Sequence, residues 1–492
     1  MITENSQCLT PTSLTRQPYA GKMEARAWEY EYVKALLMPH GAGEKIKDWN
    51  STEQEKDMKI RPIPFSDELF YWLRTGKQPT VLEVQCTLVE RVVPHALKTA
   101  LGSALRVHTN FRIRPVIVRG TFQAVVCDVK NPPLFREDGC VRHLGKAETS
   151  ELMLYVSYGE KNFTLHIFHG LSDFRGICAF MNTILKFYFH ELGQSGIKLP
   201  EPDSRDAIPC FENILEAGAP GDPIGMFDPK EHDIFTIPEK NFGKKTTMQH
   251  ICEIDVPLDP LLALSRANES SVVPTIEAFI GRAIRNTYEV GEKIITGYTP
   301  IDLRPVFHFE NSGNSSSNFP IPYTEKMNRY ALNERSMYLR SILDIQSQPE
   351  NLYVKVKYAR DAIMAVAEKR LPLGLKARII TNGGRKMDRE IYTYGISYAG
   401  KVRFGEEIDP HVASVTACAG SYSYPLWILA CEFGGIIRMV LTQSYESETL
   451  ARNICKEMAG YIPGISFIDW GHHEFDECYL KDLRRLRKTD EG

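Results

Sequence analysis

His169-Gly170-Leu171-Ser172-Asp173 sets an imidazole four residues ahead of a carboxylate, between an apolar strand pattern and a helical one. An imidazole titrates near pH 6.5, so at neutral pH it can take a proton from an attacking hydroxyl or amine and return it to a leaving group. Acyl transfer needs that service, together with a donor aimed at the oxyanion that forms on the attacked carbonyl. The plainer reading of the same five residues is a helix cap, with Asp173 closing the first turn and His169 packed beside it.

The elements that must position the pair can be read on either side. Lys161 to Phe168 alternates Phe163, Leu165 and Ile167 against Thr164, His166 and Phe168, which predicts a half-buried strand. Gly176, Phe180, Ile184 and Phe187 then recur at helical spacing. The motif therefore falls on the loop and first turn of a strand-to-helix junction, where backbone is often exposed at a site.

The longer string, from His169 and Asp173 through Gly176 to Phe180, resembles the H-x-x-x-D-x-x-G-x-x-x-F signature of the coenzyme A-dependent acyltransferase superfamily. That superfamily includes chloramphenicol acetyltransferase, alcohol acetyltransferases and nonribosomal peptide condensation domains. Three further stretches follow in the family's order. Glu68-Leu-Phe-Tyr-Trp72, a Val81 to Leu88 strand, a Val93 to Val107 helix and Asn110-Phe111-Arg112 resemble its opening strand, helix and turn. Tyr298 to Arg304 is similar to its "P-V-D-L-R" strand end, and Tyr394 to Val402 to its "S-N-x-G-x-V" strand, with Tyr398 in place of the asparagine. Phe174 stands where many relatives carry glycine, and Phe168-His169 where condensation domains show two histidines.

The resemblance, over roughly residues 60 to 460, implies an α/β (α+β) fold of two chloramphenicol acetyltransferase-like αβ subdomains, with the active site in a tunnel at their interface. It implies His169 as general base, Arg304 as the ion-pair partner of Asp173, and Asp173 itself as architecture. Ser397 is the candidate oxyanion donor, although a strand serine is more often just a polar neighbour. Gly170 and Phe174 are candidate substrate contacts, Gly170 because a missing side chain lets a thioester approach the imidazole. Phe168, Phe319 and Trp427 read as lining or as core. The implied reaction moves an acyl group, acetyl foremost, from an acyl-coenzyme A co-substrate to a small alcohol or amine, with no tightly bound cofactor. Two alternatives stay open: a condensation-type enzyme using thioesters on an acyl or peptidyl carrier protein, and a noncatalytic binding or scaffold protein that keeps the fold.

The expected division is an extension over 1–58 with a short helix from Ala25 to Leu37, subdomains over 59–215 and 246–492, and a Pro- and Gly-rich linker over 216–245. The second half restarts with a Met248 to Val256 strand, helices over Leu258 to Ala267 and Val273 to Glu289, and an Ile294 to Thr299 strand.

A net charge of −3 over 492 residues points to neither nucleic acid nor an anionic membrane. Eleven scattered cysteines without a C-x-x-C pair read as reduced thiols in a cytoplasmic protein. Pro425 to Cys431 is far too short for a membrane span. His166 lies three residues before His169, which sends it to the opposite strand face, so no metal site is expected from His166, His169 and Asp173. Between residues 355 and 389, ten basic side chains face three acidic ones, a patch suited to coenzyme A phosphates or an acidic carrier, or else a solvated helix face. Asn382-Gly-Gly384 reads there as a flexible turn.

Overall fold

A computed structural model describes residues 60–73, 80–118, 120–200, 210–240, 248–310, 312–421, 424–476 and 484–486. The extension over 1–58, with its expected helix, lies outside them.

Continuous apolar runs become the centres of sheets. Leu426–Phe433 is almost wholly buried, as a strand covered on both faces must be, and Pro425 to Cys431 supplies this sheet strand. Its seven-stranded sheet runs in the order Ser316–Tyr323, Ile295–Asp302, Tyr394–Lys401, Leu426–Phe433, Ile436–Gln443, Met248–Pro257 and Ser466–Glu474. Helices Leu258–Ala267, Val272–Thr287 and Thr449–Ala459 pack on it around Ile276, Phe279, Ile280, Ile284 and Leu450, all fully buried. Burying each such side chain contributes roughly 1.5–3 kcal/mol.

The motif strand lies at the centre of a five-stranded sheet ordered Val412–Ala419, Val81–Leu88, Asn162–Phe168, Leu154–Tyr158 and Leu134–Arg136. Helix Phe174–Glu191 buries Ile177, Phe180, Met181, Ile184, Leu185 and Tyr188 along one stripe. Phe180 stacks on Phe111 at 4.3 Å, locking that helix to the Thr109–Arg112 turn. A third sheet orders Ile60–Pro62, Thr121–Val126, Ile113–Val118 and Arg484–Leu486.

Two strands from the second half enter sheets of the first: Val412–Ala419 pairs with Val81–Leu88, and Arg484–Leu486 with Ile113–Val118. A boundary at 216–245 therefore does not separate the sheets. The expected turn at Asn382-Gly-Gly384 is a second departure, because helix Leu373–Ile391 runs through it. Two helical glycines each cost about 1 kcal/mol. Burial of Ala377, Ile379 and Ile380, with the Thr381 hydroxyl donating to the Trp72 carbonyl at 3.0 Å, holds the helix against the segment Phe65–Leu73.

Candidate active site

The strand Asn162–Phe168 ends where His169 opens a single 3-10 turn, His169–Leu171. The His169 backbone N–H donates to the Thr80 carbonyl at 2.7 Å, and its carbonyl accepts from the Asn314 side chain at 2.8 Å. The imidazole stacks on Phe70, with ring centroids 4.0 Å apart and 14° between planes. Both backbone and ring are thereby positioned. Burial lowers the His169 pKa against the opposing pull of its own carbonyl, the Asp173 charge, Asn314 and the Ser172 backbone. The neutral imidazole, the form a general base needs, is favoured near pH 7.

Asp173 is consumed by structure. Its Oδ1 caps helix Phe174–Glu191 by accepting from Gly176 N–H at 3.1 Å, while Oδ2 accepts from Ser315 N–H at 3.0 Å. Arg304 Nη2 reaches both oxygens, at 3.0 and 2.9 Å. The same guanidinium donates to Asp302 at 3.0 Å and to the Gly313 carbonyl at 2.8 Å, and Arg175 approaches Asp302 at 3.2 Å. Burial opposes the Arg304 charge, but Asp173 and Asp302 outweigh it and hold its pKa above the ordinary value. Arg304 follows just after the strand Ile295–Asp302, so this pair joins the motif loop to the seven-stranded sheet.

The same junction explains two glycines. A Cβ on Gly176 would sit 2.1 Å from the Ser312 carbonyl oxygen, which already accepts from the Ser172 hydroxyl at 2.6 Å. A Cβ on Gly170 would sit 2.3 Å from the Phe168 ring and 2.9 Å from Tyr71. That space is filled by aromatic core, so packing against Phe168 and Tyr71 by itself requires the glycine. Phe174, the other expected substrate contact, is buried at the first helical position.

Ser397 sits half-buried on Tyr394–Lys401, opposite Leu429. This strand runs parallel to Ile295–Asp302, so both head toward the end of the sheet where Arg304 lies. Among the described residues no hydrogen bond joins Ser397 to His169, Asp173 or Arg304. Phe168, Phe319 and Trp427 are all buried. The basic stretch is split: Lys355 turns inward over the Phe319 ring at 5.4 Å and Lys376 is buried, whereas Lys369, Arg370 and Arg378 are exposed.

Asp67, Phe70 and Asn314 escape sequence reasoning. Asp67 Oδ1 accepts from the Asn314 backbone at 2.9 Å and side chain at 2.8 Å, and the same side-chain nitrogen reaches the His169 carbonyl. The aromatic run Glu68 to Trp72 marks the segment, but nothing in its spacing shows that it faces residue 314. Burial raises the Asp67 pKa from 3.8 to about 7 despite the Asn314 bonds. Because the folded value lies above the unfolded one, this carboxyl stabilises fully below pH 3.8, and that stabilisation is lost as pH climbs through about 7. Asp67→Asn keeps the Oδ1 acceptor and removes the charge. Urea melts should find the variant gaining on wild type between pH 4 and pH 8, by on the order of a few kcal/mol. A difference that stays flat across that range contradicts the assignment.

No protein-family model matches the sequence, and no curated protein matches it. Solved structures do. Polyketide synthase associated protein 5 from Mycobacterium tuberculosis superposes with a TM-score of 0.54 at 11% identity, covering 81% of this chain and 97% of that one. Trichothecene 15-O-acetyltransferase TRI3 from Fusarium sporotrichioides gives 0.52 at 10% identity, over 85% and 98%. TRI101 of F. graminearum, complexed with coenzyme A and T-2 mycotoxin, gives 0.53 at 11%, over 83% and 99%. The fold is that of the coenzyme A-dependent acyltransferases and condensation domains. Within this fold the motif residues occupy the junction between the five- and seven-stranded sheets. Among the described residues no helix is long and apolar enough to cross a membrane.

Proposed function

We propose that this chain transfers an acyl group, acetyl first among those to test, from a coenzyme A thioester to an alcohol or amine. The observation that carries the reading is the division of labour in the motif. His169 is fixed at a strand end with its neutral form favoured, while Asp173 is engaged by Arg304, Gly176 and Ser315.

In this mechanism the His169 imidazole takes the proton of the acceptor as its oxygen or nitrogen attacks the thioester carbonyl. The tetrahedral oxyanion is met by the Ser397 hydroxyl. Collapse breaks the carbon–sulfur bond, and the departing thiolate takes the proton back from the imidazolium, leaving the ester or amide and free thiol. Substrates meet in a tunnel between the sheets. Exposed Lys369, Arg370 and Arg378 supply positive potential for the coenzyme A phosphates. The chain works in the cytoplasm.

The test is thiol release from acetyl-coenzyme A by the purified protein, across a panel of alcohols and amines. Acceptor-dependent release is expected. Release only from acetyl groups presented on a carrier protein would instead make this a condensation-type catalyst. Silence with both donors, without saturable coenzyme A binding, would overturn the acyltransferase reading in favour of a noncatalytic protein.

A further inference from the structure

We propose that Glu83, His166 and Asp476, with His473 beside them, form a binding site for a divalent transition-metal ion of the Zn2+ class that ties the C-terminal segment to the five-stranded sheet. His166 has no part in the acyl-transfer centre. It faces the other side of its strand, where Glu83 is its direct cross-strand partner and Tyr155 its partner on the opposite flank. His473 closes the edge strand Ser466–Glu474, and Asp476 follows two residues after that strand ends.

The donor atoms converge. His166 Nδ1 lies 3.0 Å from Asp476 Oδ2 and 3.5 Å from Glu83 Oε1, and His473 Nε2 lies 2.9 Å from Glu83 Oε2. The His166, Glu83 and Asp476 atoms all fall within 4.8 Å of one another. A tetrahedral ion with bonds of about 2.0–2.2 Å holds its ligand atoms roughly 3.3–3.6 Å apart, close to these separations.

Direction adds a second observation. His166 Nδ1 and His473 Nε2 are buried, and despite the nearby carboxylates neither makes an aligned hydrogen bond.

The surrounding groups orient the ligands as metal centres require. Ser157 Oγ lies 2.9 Å from His166 Nε2 and anchors the ring from its far side. Tyr155 O–H donates to Asp476 Oδ2 at 2.8 Å, Arg142 N–H donates to Asp476 Oδ1 at 2.8 Å, and the Tyr155 ring stacks on the imidazole at 4.2 Å. Side-chain exposure of only 11% for Glu83, 12% for His166 and 4% for Asp476 shields the site from competing water. The cluster of His250, Cys252 and Asp469 is a weaker candidate. Both ring nitrogens of His250 are already bonded, to the Glu446 carbonyl at 2.8 Å and to Asp469 at 2.7 Å.

Carboxylates and imidazoles bind a metal ion in their deprotonated forms, so uptake weakens as pH falls.

Full-length protein stripped with EDTA should take up one equivalent of Zn2+ by calorimetry, with Kd of about 1 µM or tighter. Zinc should raise its melting temperature, and Co2+ should give visible ligand-field bands. His166→Ala and Asp476→Asn should abolish uptake, Ser157→Ala should weaken it about 10- to 100-fold, and His250→Ala should leave it unchanged. If circular dichroism shows either ligand variant unfolded, Ser157→Ala decides, and unaltered affinity there counts against the proposal. Lack of stoichiometric uptake by the folded protein would overturn the site and leave the cluster as an ion-pair network. All these readouts are independent of turnover.

Discussion

His169→Ala lowers acyl-transfer turnover by about 10² to 10⁴ and leaves the protein folded. The size is that of removing a positioned general base. The alanine keeps the backbone bonds to Thr80 and Asn314, which hold the loop, and forfeits the stack on Phe70. The stability cost should therefore stay near 1 kcal/mol. Burial also fixes the pH profile. A base with a depressed pKa keeps its working form to lower pH, so the acid limb of kcat/KM in wild type should fall below pH 6.5. Thiol-release kinetics beside thermal melts of the same preparations check both halves. Equal turnover in variant and wild type would sink the mechanism.

Arg304→Ala and Asp173→Ala act in the opposite proportion, on stability first. The pair is buried, each side chain only 12–13% exposed, so removing one partner strands a charge and costs about 3–5 kcal/mol. The lower end is expected, because Arg304 keeps Asp302 and Asp173 keeps the Gly176 and Ser315 N–H groups. In the double variant neither charge is stranded, so its loss should fall short of the two singles combined. Activity drops with stability, because the loop that carries His169 loses its clamp to the seven-stranded sheet. Chemical denaturation of the four proteins completes the cycle. Strictly additive losses, or single losses under about 1 kcal/mol, would rule out a coupled buried pair.

Much of the local structure was legible. Helix Leu258–Ala267 and strand Val81–Leu88 match their expected limits, because period-3.6 and buried-strand patterns are carried by residues close together in the chain, with Pro257 marking the helix start. The helix through Asn382-Gly-Gly384 was misread, because propensity weighs glycine locally whereas packing of Ile379, Ile380 and Thr381 against Phe65–Leu73 is a long-range gain. Residue pairing shows the same limit. Arg304 was matched to Asp173 through the resemblance, yet the Asp67 to Asn314 bonds that steady the His169 carbonyl span 247 residues and leave no periodic trace.

The sequence by itself determined the strand-turn-helix carrying His169 and Asp173, since those elements depend on residues a few positions apart. It also determined that the chain holds enough apolar surface for large buried sheets. Tertiary structure alone decided that Val412–Ala419 joins the first half's sheet, that Phe70 covers the imidazole, and that His166 meets Glu83 and Asp476. Each of those joins chain segments distant in sequence. Such contacts are selected by the free energy of the whole packed core, to which local periodicity is blind.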